Sequence, residues 1–122
     1  MSKLLILLLM TTNVIAQEFI DSSSFESKTA KGITVVEFWA EWNSTNEVSF
    51  LPQLKDCIVY KVCITKSYDV SSEFDITSIP TLIIFNNGVE QVRYNPNILM
   101  QTTTTKKALQ KTIDNIMFSK FQ

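Results

Sequence analysis

The residues whose types and spacing could carry chemistry centre on Asn43-Ser44-Thr45-Asn46, directly after Trp42. The chain contains no histidine, which excludes Ser-His-Asp and Cys-His nucleophile pairs and removes the commonest transition-metal ligand. With two cysteines in the whole chain, a zinc or iron–sulfur site made by one copy is not expected. We therefore expect neither a metal nor a cofactor.

The two cysteines, Cys57 and Cys63, bracket residues 58–62, whose β-branched and aromatic types predict an extended strand. Six residues at roughly 3.3 Å each separate them by about 20 Å, whereas a disulfide requires Cα atoms within about 7 Å. An intrachain disulfide is therefore not expected. Two interpretations stay open: both thiols are buried as small hydrophobes, or one is reactive or pairs with another chain.

Composition predicts one compact domain behind a secretory signal. The chain has 122 residues, 45% of them hydrophobic, and its net charge of −1 gives no electrostatic footprint for nucleic acid. Lys3, the apolar residues 4–10 and Val14-Ile15-Ala16 are typical of a signal peptide cut before Gln17. The apolar run is too short to span a membrane. We expect cleavage of residues 1–16, a domain over 17–122 without a membrane span, and a periplasmic or secreted protein.

Strands and helices alternate in the predicted order β-α-β-α-β-α-β-β-α. Ser-x-x-Glu patterns predict capping boxes at Ser23 and Ser44, and Asn87-Gly88 predicts a hairpin turn. Predicted strands cover 18–20, 33–39, 57–64, 81–85 and 89–94, and predicted helices begin near residues 23, 44, 68 and 104. Right-handed crossovers then place helices on both faces of one mixed sheet of about five strands, an α/β fold.

Two stretches resemble motifs of the thioredoxin family. Residues 35–47 are similar to the family's Val-x-Phe-Trp-Ala-x-Trp-Cys-Gly-Pro-Cys, and residues 78–88 are similar to the segment around its cis-proline. Together with the element order, the resemblance covers essentially the whole chain after residue 16. It implies a thioredoxin-like fold, and the family's activity would be thiol–disulfide exchange.

The resemblance also implies roles for single residues. Pro80 corresponds to the family's cis-proline, and the backbone of Ile79 would border the substrate groove. Trp42 would be the surface tryptophan that flanks the active site. Glu37 stands where the family keeps a buried acid, and Lys61 where it often has that acid's lysine partner. We expect these two to form a structural ion pair.

The resemblance fails at the reactive positions. Asn43 and Asn46 stand where the family has its two cysteines, and Ser44 and Thr45 replace the intervening Gly-Pro. Exchange with a disulfide requires a thiolate, and a carboxamide supplies none. The site is therefore expected to be redox-inactive and non-catalytic, although whether the protein is an enzyme by another route stays open.

Two interpretations of residues 43–47 stay open. They form either an ordinary helix start, in which Ser44 and Glu47 cap the first turn, or one wall of a groove that binds a protein or peptide through backbone hydrogen bonds. The candidate groove residues are Trp42, Asn43, Ile79 and Pro80.

A different class of function would use the thiol of Cys63. Cys63 is two residues after Lys61 and so is predicted to lie on the same face of the strand, toward the end that parallel topology places near Asn43. The alternative function is therefore a redox accessory protein that acts through this one thiol. A structural remnant inside a larger assembly is a third. Asn43-Ser44-Thr45 also matches the N-glycosylation acceptor pattern, which applies only in a eukaryotic secretory pathway.

Overall fold

The computed structural model describes residues 17–120, and the predicted signal peptide lies outside the described residues. Within that range five strands, three α-helices and two short 3-10 turns follow one another. In chain order the elements are β1 (Glu18–Phe19), α1 (Phe25–Thr29), β2 (Ile33–Trp39), a first 3-10 turn (Glu41–Asn46), a second 3-10 turn (Leu51–Gln53), β3 (Ile58–Cys63), α2 (Tyr68–Glu73), β4 (Thr81–Asn86), β5 (Val89–Tyr94) and α3 (Lys106–Ser119).

The strands form one mixed sheet in the order β1-β3-β2-β4-β5. β1, β3 and β2 run parallel, whereas β4 is antiparallel to β2 and β5 is antiparallel to β4. The register of β2 against β3 sets Glu37 opposite Lys61 and Trp39 opposite Cys63. The predicted mixed five-stranded sheet is confirmed.

Both faces of the sheet are covered, which explains why the central strands are continuous apolar runs. On one face Phe38 and Phe85 pack with Phe25 of α1 and Val70 of α2. On the other face the sheet packs against α3 and the 3-10 segment, and the cluster comprises Ile33, Val35, Val48, Leu51, Leu54, Leu82, Ile84, Leu109 and Ile113. Helices on both faces are thereby confirmed.

The α-helix predicted to begin at Ser44 does not form, and the capping box of Ser44 with Glu47 is wrong. Asn43 has non-helical backbone angles (φ −115°, ψ 21°), and Glu47 is extended in ψ at 140°. The carboxylate of Glu47 turns instead to the ammonium of Lys61. Pro52 then lies in the first turn of the second 3-10 segment, where its missing N–H costs nothing, and that segment ends where Leu54 becomes extended at ψ 145°.

The first and the last helix have different N-terminal caps. At α1 the predicted Ser23 box is wrong, because the Asp21 carboxylate accepts from the backbone N–H groups of Ser23 and Ser24 at 3.1 and 3.0 Å. At α3 the Thr105 hydroxyl accepts from the N–H of Ala108 at 3.1 Å.

Between residues 17 and 120 no helix is both long and apolar enough to cross a bilayer.

Candidate functional site

Asn43 and Asn46 join two distant parts of the chain by hydrogen bonds. The side-chain amide of Asn46 donates from Nδ2 to Oδ1 of Asn43 at 2.8 Å. Nδ2 of Asn43 in turn donates to the backbone carbonyl of Met100 at 3.1 Å, and Asn43 is only 9% exposed. Asn43 and Asn46, which stand at the family's two cysteine positions, therefore hold a loop that lies 57 residues later in the chain.

That loop, residues 97–101, is ordered by its own asparagine. Oδ1 of Asn97 accepts from the N–H groups of Leu99 and Gln101, both at 3.0 Å. The Asn97 N–H donates to the carbonyl of Gln101, and the Met100 N–H donates to the carbonyl of Asn97. Met100 adopts a left-handed conformation (φ 59°), which turns the chain back on itself. The loop is thus held in one conformation by internal bonds and by Asn43.

Three large apolar side chains are exposed around this contact. Ile98 is 97% exposed and Leu99 is 68% exposed, on the loop that Asn43 holds. Trp42, next to Asn43 in the chain, is 64% exposed. Trp42, Ile98 and Leu99, called the apolar patch below, adjoin the bonded pair along the chain: Trp42 precedes Asn43, and Ile98 and Leu99 precede Met100. Contiguous exposed apolar patches mark interaction surfaces more often than single exposed side chains do.

The other groove candidates lie inside the protein. The Ile79–Pro80 peptide bond is cis, and both residues are buried. Ile79 belongs to the core cluster against which Met100 packs. The Thr81 hydroxyl donates to the carbonyl of Ser78 at 2.6 Å, which fixes the segment that leads into β4. Of the four candidates, Trp42 alone presents a mostly exposed side chain.

Sequence reasoning gave the loop near Pro96-Asn97 no functional role. Asn97 lies between Pro96 and three apolar residues in a stretch without a charge, from residue 94 to residue 105. Asparagine after proline is a turn signal, and apolar residues inside a turn are the exception that could have drawn notice. The contact itself joins residues 57 positions apart, which spacing in the sequence does not disclose.

Beneath the first 3-10 turn, the carboxyl group of Glu37 is fully buried. Its Oε2 accepts from the N–H of Val48 at 3.2 Å, and its Oε1 has no hydrogen-bond partner among the described residues. Burial raises the pKa of Glu37 to about 7, and the Val48 bond and the charge of Lys61 offset only part of that rise. The group therefore changes charge near neutral pH.

Lys61 makes its ion pair with Glu47, which corrects the expected pairing with Glu37. Its Nζ also lies 5.6 Å from the ring centroid of Phe19 and 5.5 Å from that of half-buried Trp39. These contacts compensate for the loss of water around the ammonium. Burial lowers the pKa of Lys61, while the nearby Glu37 carboxylate raises it.

The two cysteines are free and differ in chemistry. Burial, and after it the charge of Asp56, raises the pKa of Cys57 to about 11. At Cys63 burial also opposes ionisation, but hydrogen bonds from Thr65 and Lys66 and the Lys66 charge outweigh it and lower the thiol's pKa. Sγ of Cys63 lies 3.3 Å from the Thr65 hydroxyl. Cys63 is 7% exposed at the edge of a cavity of about 420 Å³ whose walls include Phe19 and Trp39.

The structure also bears on the glycosylation pattern and on metal binding. In the acceptor pattern Asn43-Ser44-Thr45, the Asn43 amide is buried and bonded, so the folded chain does not present it for glycosylation. Within residues 17–120, no three His, Cys, Asp or Glu side chains are grouped so that they could share a metal ion. The chemistry that the described residues offer is hydrogen bonding, apolar contact, a change of charge at Glu37 and a thiol at Cys63 whose pKa is lowered.

The chain is similar to thioredoxins in sequence and in fold. The thioredoxin family model matches residues 16–115. Thioredoxin of Mycoplasma genitalium is 33% identical over 70 residues, covering 52% of this chain and 69% of that protein. Thioredoxin-2 of Saccharomyces cerevisiae is 30% identical over 91 residues, covering 66% and 88%. A mutant thioredoxin from Halobacterium salinarum has a TM-score of 0.66 at 18% identity, over 81% of this chain and 88% of that chain, which shows the fold alone.

Proposed function

This chain belongs to the thioredoxin family, and we propose that it acts as an exported, non-redox module that binds a protein or peptide partner. The observation that carries the proposal is the hydrogen bond from Asn43 to the carbonyl of Met100. At the first of the family's two cysteine positions, a side chain that cannot attack a disulfide holds a surface loop in place. Binding therefore replaces exchange chemistry at this end of the sheet.

The apolar patch is the surface that this arrangement favours for binding. Ile98 and Leu99 stand on a loop whose backbone is fixed by Asn97 and Asn43, so little conformational freedom remains to be lost when a partner binds. Trp42 adds a large, rigid side chain of the type that dominates binding energy in interfaces. Since Ile79 and Pro80 are buried, the patch is better supported than a groove along them.

Capture of partners from the compartment into which the protein is exported tests this proposal. The full chain carrying Leu99→Ser should lose most of the captured protein, because a polar side chain replaces an exposed apolar anchor. Val89→Ser is the matched control, since Val89 is 61% exposed on β5 and lies outside the patch. A partner lost equally from both variants, or retained by Leu99→Ser, would contradict the patch as the binding surface.

The export part of the proposal rests on residues 1–16, whose basic start, apolar run and Val14-Ile15-Ala16 fit a cleaved signal peptide. Export would place the protein in a compartment where thiols oxidise readily. Fusion of residues 1–16 to a reporter that is active only after export tests this step. A reporter that stays inside the cell would overturn it.

A second candidate function uses Cys63, because its lowered pKa sets it apart from Cys57. The Cys63 thiolate would attack one sulfur of a partner's disulfide, form a mixed disulfide with that sulfur and release the other as a thiolate, with no external oxidant. The chain offers no resolving cysteine beside it, so the product would be a stable conjugate.

Iodoacetamide labelling of the folded protein separates the two thiols. For a reactive Cys63, labelling should be faster in Cys57→Ser than in Cys63→Ser. Labelling that is slow in both variants until denaturant is added would mean that both thiols are only buried. Insulin reduction should stay at background in every variant under the binding proposal, and measurable reduction would overturn the non-redox assignment.

A further inference from the structure

Gln17, the first described residue, is half-buried, and its side-chain amide is buried without a hydrogen-bond partner among the described residues. Neither Oε1 nor Nε2 of its amide has a partner among the described residues, and both atoms are buried. The side chain lines a cavity of about 360 Å³ beside β1 and β3. The other walls are Glu18, Pro52, Leu54, Cys57, Ile58 and Val59.

An open glutamine is a poor occupant of this cavity. A carboxamide carries two N–H donors and a carbonyl acceptor, and leaving such a group buried and unpaired is unfavourable. The same surroundings suppress charge, since burial is the main reason that the pKa of Cys57 is raised to about 11.

We propose that Gln17 becomes an N-terminal pyroglutamate, an inference that rests on the proposed export and cleavage after Ala16. Cleavage turns the backbone nitrogen of Gln17 into a free α-amine. That nitrogen attacks the side-chain carbonyl carbon Cδ, a C–N bond closes a five-membered lactam, and the side-chain nitrogen leaves as ammonia. Nothing is oxidised or reduced, and no co-reactant is consumed.

The lactam fits the cavity better than the open residue does. It removes the positive charge of the α-amine and leaves one N–H and one carbonyl in place of the amide's three hydrogen-bonding functions. The lactam ring is more compact and less polar than the open side chain, and the cavity wall includes the apolar residues Pro52 and Leu54. The cyclised terminus also lacks the free amine that aminopeptidases require.

Expression of the full chain in a secreting host, followed by intact mass and N-terminal sequencing, tests the inference. The expected product begins at residue 17, is lighter than the open form by one ammonia, and is blocked to Edman degradation. Gln17→Asn is the matched control, because its carboxamide is one methylene shorter and cannot close a five-membered ring. That variant should begin with a free, sequenceable asparagine at full mass.

Each other outcome overturns a different statement. A product that begins at residue 17 with an open glutamine, even after prolonged incubation, overturns the cyclisation while export stands. A product that retains Met1 overturns the proposed export, and the cyclisation with it. If open and cyclised forms are both recovered and separated by charge, the cyclised form should melt at the higher temperature, and equal melting would overturn the role assigned to the cavity.

Discussion

Residues 43–48 are fixed at both ends, by two different kinds of interaction. At the outer end, neutral hydrogen bonds run from Asn46 through Asn43 to the loop that carries Ile98 and Leu99. At the inner end, the Val48 N–H donates to the buried carboxyl of Glu37, and Glu47 pairs with Lys61. Neutral bonds therefore position the surface, whereas buried charges set the stability of the domain and its response to pH.

The largest effect is expected for Glu37→Gln. Because the pKa of Glu37 is raised from 4.5 to about 7, the folded protein binds a proton more tightly than the unfolded chain does. Its free energy of unfolding should fall as pH rises from about 4.5 to about 7, by about 3 kcal/mol. Glutamine mimics the neutral form, so the variant should lack this fall and be the more stable protein at pH 8.

Urea melts at pH 4.5 and pH 8 measure this difference. Glu41→Gln, which changes an exposed carboxylate two residues after β2, is the control and should leave the pH dependence in place. If Glu37→Gln keeps the parent's fall in stability between the two pH values, another group is responsible for it. If the parent shows no fall, the pKa of Glu37 is not raised in the folded protein.

The next effect, about 2 kcal/mol, is expected for Glu47→Gln. This change leaves the buried ammonium of Lys61 without its ion-pair partner, and removing one member of a buried pair is strongly destabilising. The estimate is reduced because the Glu47 side chain is 41% exposed and can be replaced by water. Denaturant melts at pH 8 measure the free energy of unfolding.

Glu90→Gln is the matched control for that ion pair. It breaks the surface pair between Glu90 and Arg93, whose atoms lie 2.7 Å apart, and should cost under about 1 kcal/mol. Equal losses in the two variants would mean that Lys61 gains its stability from the rings of Phe19 and Trp39 and not from Glu47.

Much of the fold could be predicted from sequence because its signals are local. The β-branched and aromatic runs, the Asn87-Gly88 turn and the motif around Pro80 each occupy a few consecutive residues. They gave β5 with its observed bounds, and β2 likewise. Local patterns fix which residues form a strand, and parallel crossovers then leave few arrangements of the sheet.

The site was less predictable because competing long-range partners decide it. Ser44 to Glu47 has the pattern of a helix cap, but the buried ammonium of Lys61 is a stronger partner for Glu47 than a backbone amide is. Likewise, the Asn43 amide bonds to the carbonyl of Met100, which only the folded chain brings near. Both outcomes depend on which polar groups are buried together, and spacing along the chain does not give that.

At the outer end, Asn43→Ala should cost about 1–1.5 kcal/mol, because it removes the donor to Met100 and the acceptor for Asn46. Hydrogen exchange should speed up at the loop amides of residues 97–101 and stay unchanged in β2. Asn115→Ala, an exposed asparagine on α3, is the control. Unchanged exchange in the loop would mean that Asn97 alone orders it.

The smallest effect on stability is expected at the tip of the loop. Ile98 is 97% exposed, so Ile98→Ser removes almost no buried apolar surface and should change the free energy of unfolding by less than about 0.5 kcal/mol. Leu109→Ser is the contrasting variant. Leu109 is fully buried in the core, so this change should lower the free energy of unfolding strongly and leave much of the protein unfolded. Thermal melts compare the two variants with the parent. If Ile98→Ser is clearly destabilising, the tip packs on the domain and the apolar patch is part of the fold; if it is neutral yet weakens partner capture, its exposed side chain acts in binding alone.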